Sequence, residues 1–181
     1  MFRLINQIIG IEDKTYLELG VGKNKNFSRV LCKDKYSVDI NGNGLFTGTT
    51  DDFFASKNSW RWDIIYIDAN HDFDFVLRDF NNSVLRCNEW IAIHDMIPPS
   101  KKYCARHLCS DSFRLLYYLL KETQFQIYPM QDNYGLTFVR MPAHTVDPPD
   151  RYRRVTYEQF TQFVDGLHLY SSSEIAEVLN V

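Results

Sequence analysis

Thr15-Tyr-Leu-Glu-Leu-Gly-Val-Gly-Lys-Asn-Lys-Asn-Phe-Ser28 decides the fold. Tyr16 to Leu19 reads as a buried strand. Gly20 and Gly22 then form a turn, and the chain enters a helical segment. Glu18 stands just before the first glycine. A carboxylate followed by backbone without Cβ makes a crevice at the carboxyl end of the strand, where a ligand's polar groups can approach the main chain. Asn24 follows in the same turn, and asparagine tolerates left-handed backbone better than other non-glycine residues. The next apolar segment, Tyr36-Ser-Val-Asp39, ends in a second acid. It lies about twenty residues on, the spacing a ribose-hydroxyl acceptor needs in a nucleotide crevice.

Strand and helix signals alternate from Tyr16 onward, which predicts βαβ units and a mostly parallel sheet with helices on both faces. Leu45 to Thr47 reads as a short third strand. Thr50-Asp-Asp-Phe-Phe54 opens a helix that Thr50 or Asp51 can cap. Asp63-Ile-Ile-Tyr-Ile-Asp68 is a near-continuous apolar run of the kind that suits a central parallel strand. Phe73, Val76, Leu77, Phe80 and Val84 recur at helical spacing. Trp90 to Ile93 is the fifth strand. Ser112 to Thr123 is a helix, and Phe125 to Met130 with Tyr134 to Met141 form a terminal antiparallel hairpin around Gln131-Asp-Asn133. The expected fold is therefore α/β and Rossmann-like, with a seven-stranded sheet.

Residues 1–142 are expected to form this domain, and residues 143–181 a linker and helical extension. In the extension, Thr156-Tyr-Glu-Gln159 has the pattern of a capping box. Met1 to Ile11 reads as a short amphipathic helix with Leu4, Ile8 and Ile9 on one side. At 181 residues and 45% hydrophobic, the chain suits one globular domain with a real core. A net charge of −3 gives no global pull toward nucleic acid or an anionic membrane. No apolar run approaches the length of a bilayer span. Four cysteines in a chain this long do not suggest a disulfide framework, so reduced thiols and a cytoplasmic setting are expected.

Taken together, Glu18-Leu-Gly-Val-Gly22, Ser37-Val-Asp39, Asp63 to Asp68 continuing to Ala69-Asn-His71, and Ile91-Ala-Ile-His-Asp95 resemble a class I S-adenosylmethionine-dependent methyltransferase. They are most similar to the small branch whose fourth strand reads FIDGxH and whose fifth ends in HD. The resemblance covers roughly Tyr16 to Arg140. It implies S-adenosyl-L-methionine as cofactor, bound through Glu18, Gly20, Gly22, Asn24, Asp39, Asp51 and Asp68. Asp51 would stand beside the adenine amino group; a plain helix cap is its other reading. The family's turn has a glycine where this chain has Asn24, and its fourth-strand motif has glycine where Ala69 stands.

Methyl transfer from a sulfonium is an in-line displacement. The protein must align donor and acceptor and, for a hydroxyl acceptor, manage its proton. Glu18, Asp68, His71, His94 and Asp95 converge at the carboxyl ends of strands one, four and five. Asp68, His71 and His94 are the catalytic candidates, because a neutral imidazole takes a proton near pH 7. Catechol-type methyltransferases place Mg2+ with an acid after strand four and an Asp-Asn pair after strand five. Here that pair is Asp95-Met96, and a thioether does not replace oxygen on a hard cation. A Mg2+ ion at Asp68, Asp95 and a histidine is thus left open.

The first expectation is methyl transfer to a small-molecule or sugar acceptor, at oxygen. A nicotinamide-dependent oxidoreductase and a non-catalytic binding protein are the alternatives. A homodimer is left open.

Overall fold

The computed structural model describes residues 2–8 and 13–179. Seven strands form one sheet: β1 (Thr15–Leu19), β2 (Asp34–Asp39), β3 (Phe46–Thr47), β4 (Trp62–Ile67), β5 (Cys87–Ile93), β6 (Ile127–Pro129) and β7 (Thr137–Arg140). Their spatial order is β3-β2-β1-β4-β5-β7-β6. The first five pair in parallel, β7 runs antiparallel to β5, and β6 runs antiparallel to β7. The expected hairpin is present, with the reversed strand inserted next to β5.

Side chains alternate across the sheet because successive Cβ atoms point to opposite faces. On β1, Leu17 and Leu19 enter one core with Phe53, Phe80, Phe113 and Phe160. Tyr16 enters the other with Ile64, Tyr66, Phe138 and Ile175. Three helices cover the first face: α2 (Thr50–Ser56), α3 (Phe73–Val84) and α4 (Phe113–Glu122). The α2 cap is Thr49, one residue earlier than the sequence suggested. Thr49 has extended backbone and its hydroxyl accepts from Asp52 N, while Thr50 has already entered the helix. Of the amino-terminal helix, α1 (Phe2–Ile8) is described and Leu4 is buried; the side chain of Ile8 and all of Ile9 lie outside the described residues.

The tail docks on both faces. Helix α5 (Tyr157–Val164) sets Phe160 against Phe113, with ring centroids 5.0 Å apart. Helix α6 (Ser172–Leu179) buries Ile175 fully beside Leu4 and Ile5. Between them Tyr170 bonds to the sheet edge, its N–H donating to Pro129 O at 2.8 Å and its carbonyl accepting from Gln131 N at 3.1 Å. That contact covers backbone groups an edge strand would leave free.

The capping box is formed: Thr156 Oγ1 accepts from Gln159 N at 3.2 Å, and Gln159 Oε1 accepts from Thr156 N at 2.9 Å. Thr156→Ala should cost about 1 kcal/mol, a fall of about 2–4 °C in a chain of this size. An unchanged melting temperature would show that α5 is held by packing alone.

Candidate active site

Four strand ends build the site. β1 ends at Leu19, and the chain then turns through Gly20 (φ +85°), Gly22 (φ +52°) and Asn24 (φ +55°). A Cβ on Gly20 would lie 2.3 Å from Asp68 O and 2.5 Å from Ala69 Cα, so glycine lets β1 and β4 emerge side by side. Asn24 takes up the left-handed conformation expected of it. Asp39, at the end of β2, fastens the turn. Its Oδ2 accepts from Val21 N at 3.1 Å and Gly22 N at 2.9 Å, and its Oδ1 accepts from Asn41 N at 2.7 Å. A carboxylate offers about four lone-pair positions, so Asp39 retains one for a ligand hydroxyl.

Above these strand ends lies a cavity of about 500 Å³, within the range that holds a nucleoside-sized ligand. Gly20, Gly22, Asp39, Asp51, Asp68 and His71 line it. Asp51 stands on its wall paired with Arg78 at 3.0 Å. Glu18, Asn24 and His94 are not among the lining residues. Glu18 is 1% exposed, and its Oε2 accepts from Tyr16 Oη at 2.6 Å and Asn26 Nδ2 at 2.9 Å. Burial pushes its carboxyl up to about 7 despite those bonds.

Asp79 is a lining residue that sequence reasoning missed. It sits on the buried face of α3 and accepts from Thr50 Oγ1 at 2.6 Å, and burial pushes it up to about 6. Its signal was available: an acid three residues after Val76, on an otherwise apolar stripe.

Beside the cavity, β4 and β5 deliver Asp68, His71, His94 and Asp95, whose ligating atoms all lie within 4.8 Å of one another. His71 Nε2 is 3.2 Å from Asp68 Oδ1, and His71 Nδ1 is 3.1 Å from Asp95 Oδ2. His94 Nδ1 is 3.2 Å from Oδ1 of both Asp68 and Asp95. Asp95 has left-handed backbone, φ +60°, a strained state that such sites retain when the surroundings enforce it. Burial alone would lower His94, but the two carboxylates beside it raise it far above the ordinary imidazole range. Burial would likewise raise Asp68, and the two imidazoles hold it below the usual carboxylate range instead.

Tyr66 is a second residue the sequence did not single out. Its hydroxyl donates to Asp68 Oδ2 at 3.0 Å. Residues i and i+2 of a strand share a face, so this pairing was implicit in the β4 register.

Asp68 and Asp95 are placed so that they can hold a divalent cation between them. Met96, where a further oxygen ligand would stand, is fully buried in the core. The nitrogen donors of His71 and His94 take part in the cluster instead.

No family model matches the sequence, and no curated protein does. Solved structures do match in shape. A protein from Staphylococcus aureus described as a putative caffeoyl-CoA O-methyltransferase superposes with a TM-score of 0.58 at 14% identity, over 78% of this chain and 82% of that one. The O-methyltransferase TomG from Streptomyces achromogenes, solved with S-adenosylmethionine, gives 0.56 at 10% identity over 78% of each chain. The methyltransferase MycE of mycinamycin biosynthesis, solved with Mg and S-adenosylhomocysteine, gives 0.54 at 17% identity. There the match spans 81% of this chain but only 50% of that one. Among the described residues no helix is long and apolar enough to cross a membrane. The strand order, the reversed β7 and these superpositions agree: the chain has the fold of the class I S-adenosylmethionine-dependent methyltransferases.

Proposed function

We propose that the chain transfers a methyl group from S-adenosylmethionine to an oxygen of a small-molecule or sugar acceptor. One observation carries this reading: a single cavity joins the glycine turn and Asp39 to Asp68 and His71. Cofactor and acceptor-activating groups thus face the same space. The neighbours TomG and MycE, solved with S-adenosylmethionine or its demethylated product, support the cofactor.

In this reading Gly20 and Gly22 let the cofactor approach the backbone, and Asp39 accepts from a ribose hydroxyl. Asp51 lies within the adenine end of the cavity. Glu18 and Asn24 shape the turn, Glu18 through Asn26 and Asn24 through its left-handed backbone. Asp68 and His71 face the acceptor, and His94 stands behind them against Asp68. The sulfonium already activates the methyl group, so their task is alignment and control of the acceptor's proton. His94, held between the carboxylates of Asp68 and Asp95, positions them beside the acceptor. A divalent ion between Asp68 and Asp95, when bound, supplies positive charge that lowers the acceptor hydroxyl's pKa.

Isothermal titration with S-adenosylhomocysteine tests the reading. Saturable binding is expected, and Asp39→Ala should weaken it by at least roughly 10–100-fold, the equivalent of one lost hydrogen bond to a charged group, because it also frees the N–H groups of Val21, Gly22 and Asn41 that hold the turn. No binding in the wild-type chain would sink the enzyme reading. A nicotinamide dinucleotide raising the melting temperature where S-adenosylhomocysteine does not would favour an oxidoreductase.

A further inference from the structure

We propose that Asp68, His71, His94 and Asp95 form a mixed nitrogen–oxygen site selective for a first-row transition ion such as Mn2+, Co2+ or Zn2+ over Mg2+, with both imidazoles as ligands. The inference goes beyond methyl transfer and does not depend on it.

Hydrogen-bond bookkeeping comes first. His71 Nδ1 donates to Leu108 O at 2.7 Å, which leaves Nε2 as the lone-pair nitrogen of a neutral ring. That nitrogen faces Asp68 Oδ1 at 3.2 Å. Two lone pairs confront each other there unless a proton or a cation lies between them. His94 Nδ1 is a buried atom with no aligned hydrogen-bond partner, although a carboxylate oxygen from each side stands 3.2 Å away. A proton serves one acceptor along one line. A metal ion gathers donors from several directions at once, and a nitrogen straddling two carboxylates suits that arrangement.

The surrounding bonds point the same way. A ligating histidine usually donates its other ring N–H to a carbonyl or carboxylate, and a ligating carboxylate is itself hydrogen-bonded. His71 meets the first condition through Leu108 O, and Asp68 the second through Tyr66 Oη at 3.0 Å. Ser112 Oγ donates to Asp95 O at 2.5 Å, fixing the residue whose left-handed backbone aims its carboxylate inward.

Donor chemistry then selects the ion. Mg2+ takes oxygen ligands in near-ideal octahedral geometry and keeps several waters, whereas imidazole suits zinc, iron, nickel and copper. Two imidazoles with two carboxylates is a set that Mg2+ uses poorly. The competing arrangement is an ion-free tetrad in which both rings are imidazolium and the two carboxylates balance them.

Calorimetry on the metal-stripped chain separates these, with Mg2+, Mn2+, Co2+ and Zn2+ as probes and S-adenosylhomocysteine titrated in parallel. One ion per chain is expected, with affinity rising from Mn2+ through Co2+ to Zn2+ and Mg2+ weakest. Tyr66→Phe removes only the bond that orients Asp68, and should cost about 10–100-fold in Zn2+ affinity. Pulsed electron paramagnetic resonance of the Mn2+-loaded wild type should show nitrogen coupling that His94→Ala and His71→Ala each reduce.

Mg2+ binding as tightly as Mn2+ without nitrogen coupling would overturn the proposal in favour of an all-oxygen site. Absence of binding by every ion would overturn it in favour of the ion-paired tetrad. S-adenosylhomocysteine binding alongside that absence leaves the methyl-transfer reading standing. Metal binding without S-adenosylhomocysteine does the reverse.

Discussion

Gly20→Ala is expected to destabilise the chain by about 3–5 kcal/mol, combining a backbone overlap with the left-handed penalty of a Cβ-bearing residue. The new Cβ would meet Asp68 O at 2.3 Å, Ala69 Cα at 2.5 Å and Ala69 N at 2.6 Å. All three are backbone atoms, so no side chain can rotate out of the way. Relief requires separating the ends of β1 and β4, which Asp68 N donating to Leu19 O at 2.8 Å holds together. The same displacement carries Asp68 away from His71 and His94, so loss of S-adenosylhomocysteine and metal binding should accompany the loss of stability. Gly22→Ala is the matched control. Its φ of +52° is also left-handed, but an added Cβ there meets nothing within 4 Å. Its cost should be only the conformational one, about 1–2 kcal/mol. Urea melts of the two variants decide the matter: equal losses would mean that the close approach of β4 is not what requires glycine at position 20.

Glu18→Gln should stabilise the chain at pH 8 by about 3 kcal/mol and leave it unchanged near pH 4, from linkage at 1.36 kcal/mol per unit of pKa. Burial raises the Glu18 carboxyl from its ordinary value of 4.5 to about 7 in the folded chain. A carboxyl raised on folding contributes stability that is fully present below the unfolded value. That contribution is lost as pH rises through the folded value, here between about 4.5 and 7. Glutamine has no charge to bury and retains an oxygen that can accept from Tyr16 and Asn26. The advantage of the variant should therefore grow through this window and level off above it. Parallel stability profiles for wild type and variant would show that Glu18 does not titrate there.

The crevice was legible in the sequence because its parts are local. Gly20, Asp39 and Asp68 each follow an apolar run, and the carboxyl ends of parallel strands are where crevices form. The capping box at Thr156 was legible for the same reason, since its two bonds join residues three apart. The α2 cap was less so: Thr49, Thr50 and Asp51 are all good caps, and only backbone conformation distinguishes them. Asp79 went unread because helical periodicity treats a buried stripe as apolar.

The mostly parallel sheet, its terminal antiparallel hairpin and a crevice at the strand ends thus follow from residue pattern alone, because hydrophobic period and turn chemistry act over a few residues. The meaning of the histidines does not. Sequence placed Asp68, His71, His94 and Asp95 at neighbouring strand ends but left open which of them handle a proton and which hold a metal. Tertiary structure brings β4 beside β5 and folds the Leu108 carbonyl over His71, and so makes the four side chains one cluster. Whether an imidazole is base, acid or ligand depends on what faces each ring nitrogen, and those partners come from segments far apart in the chain.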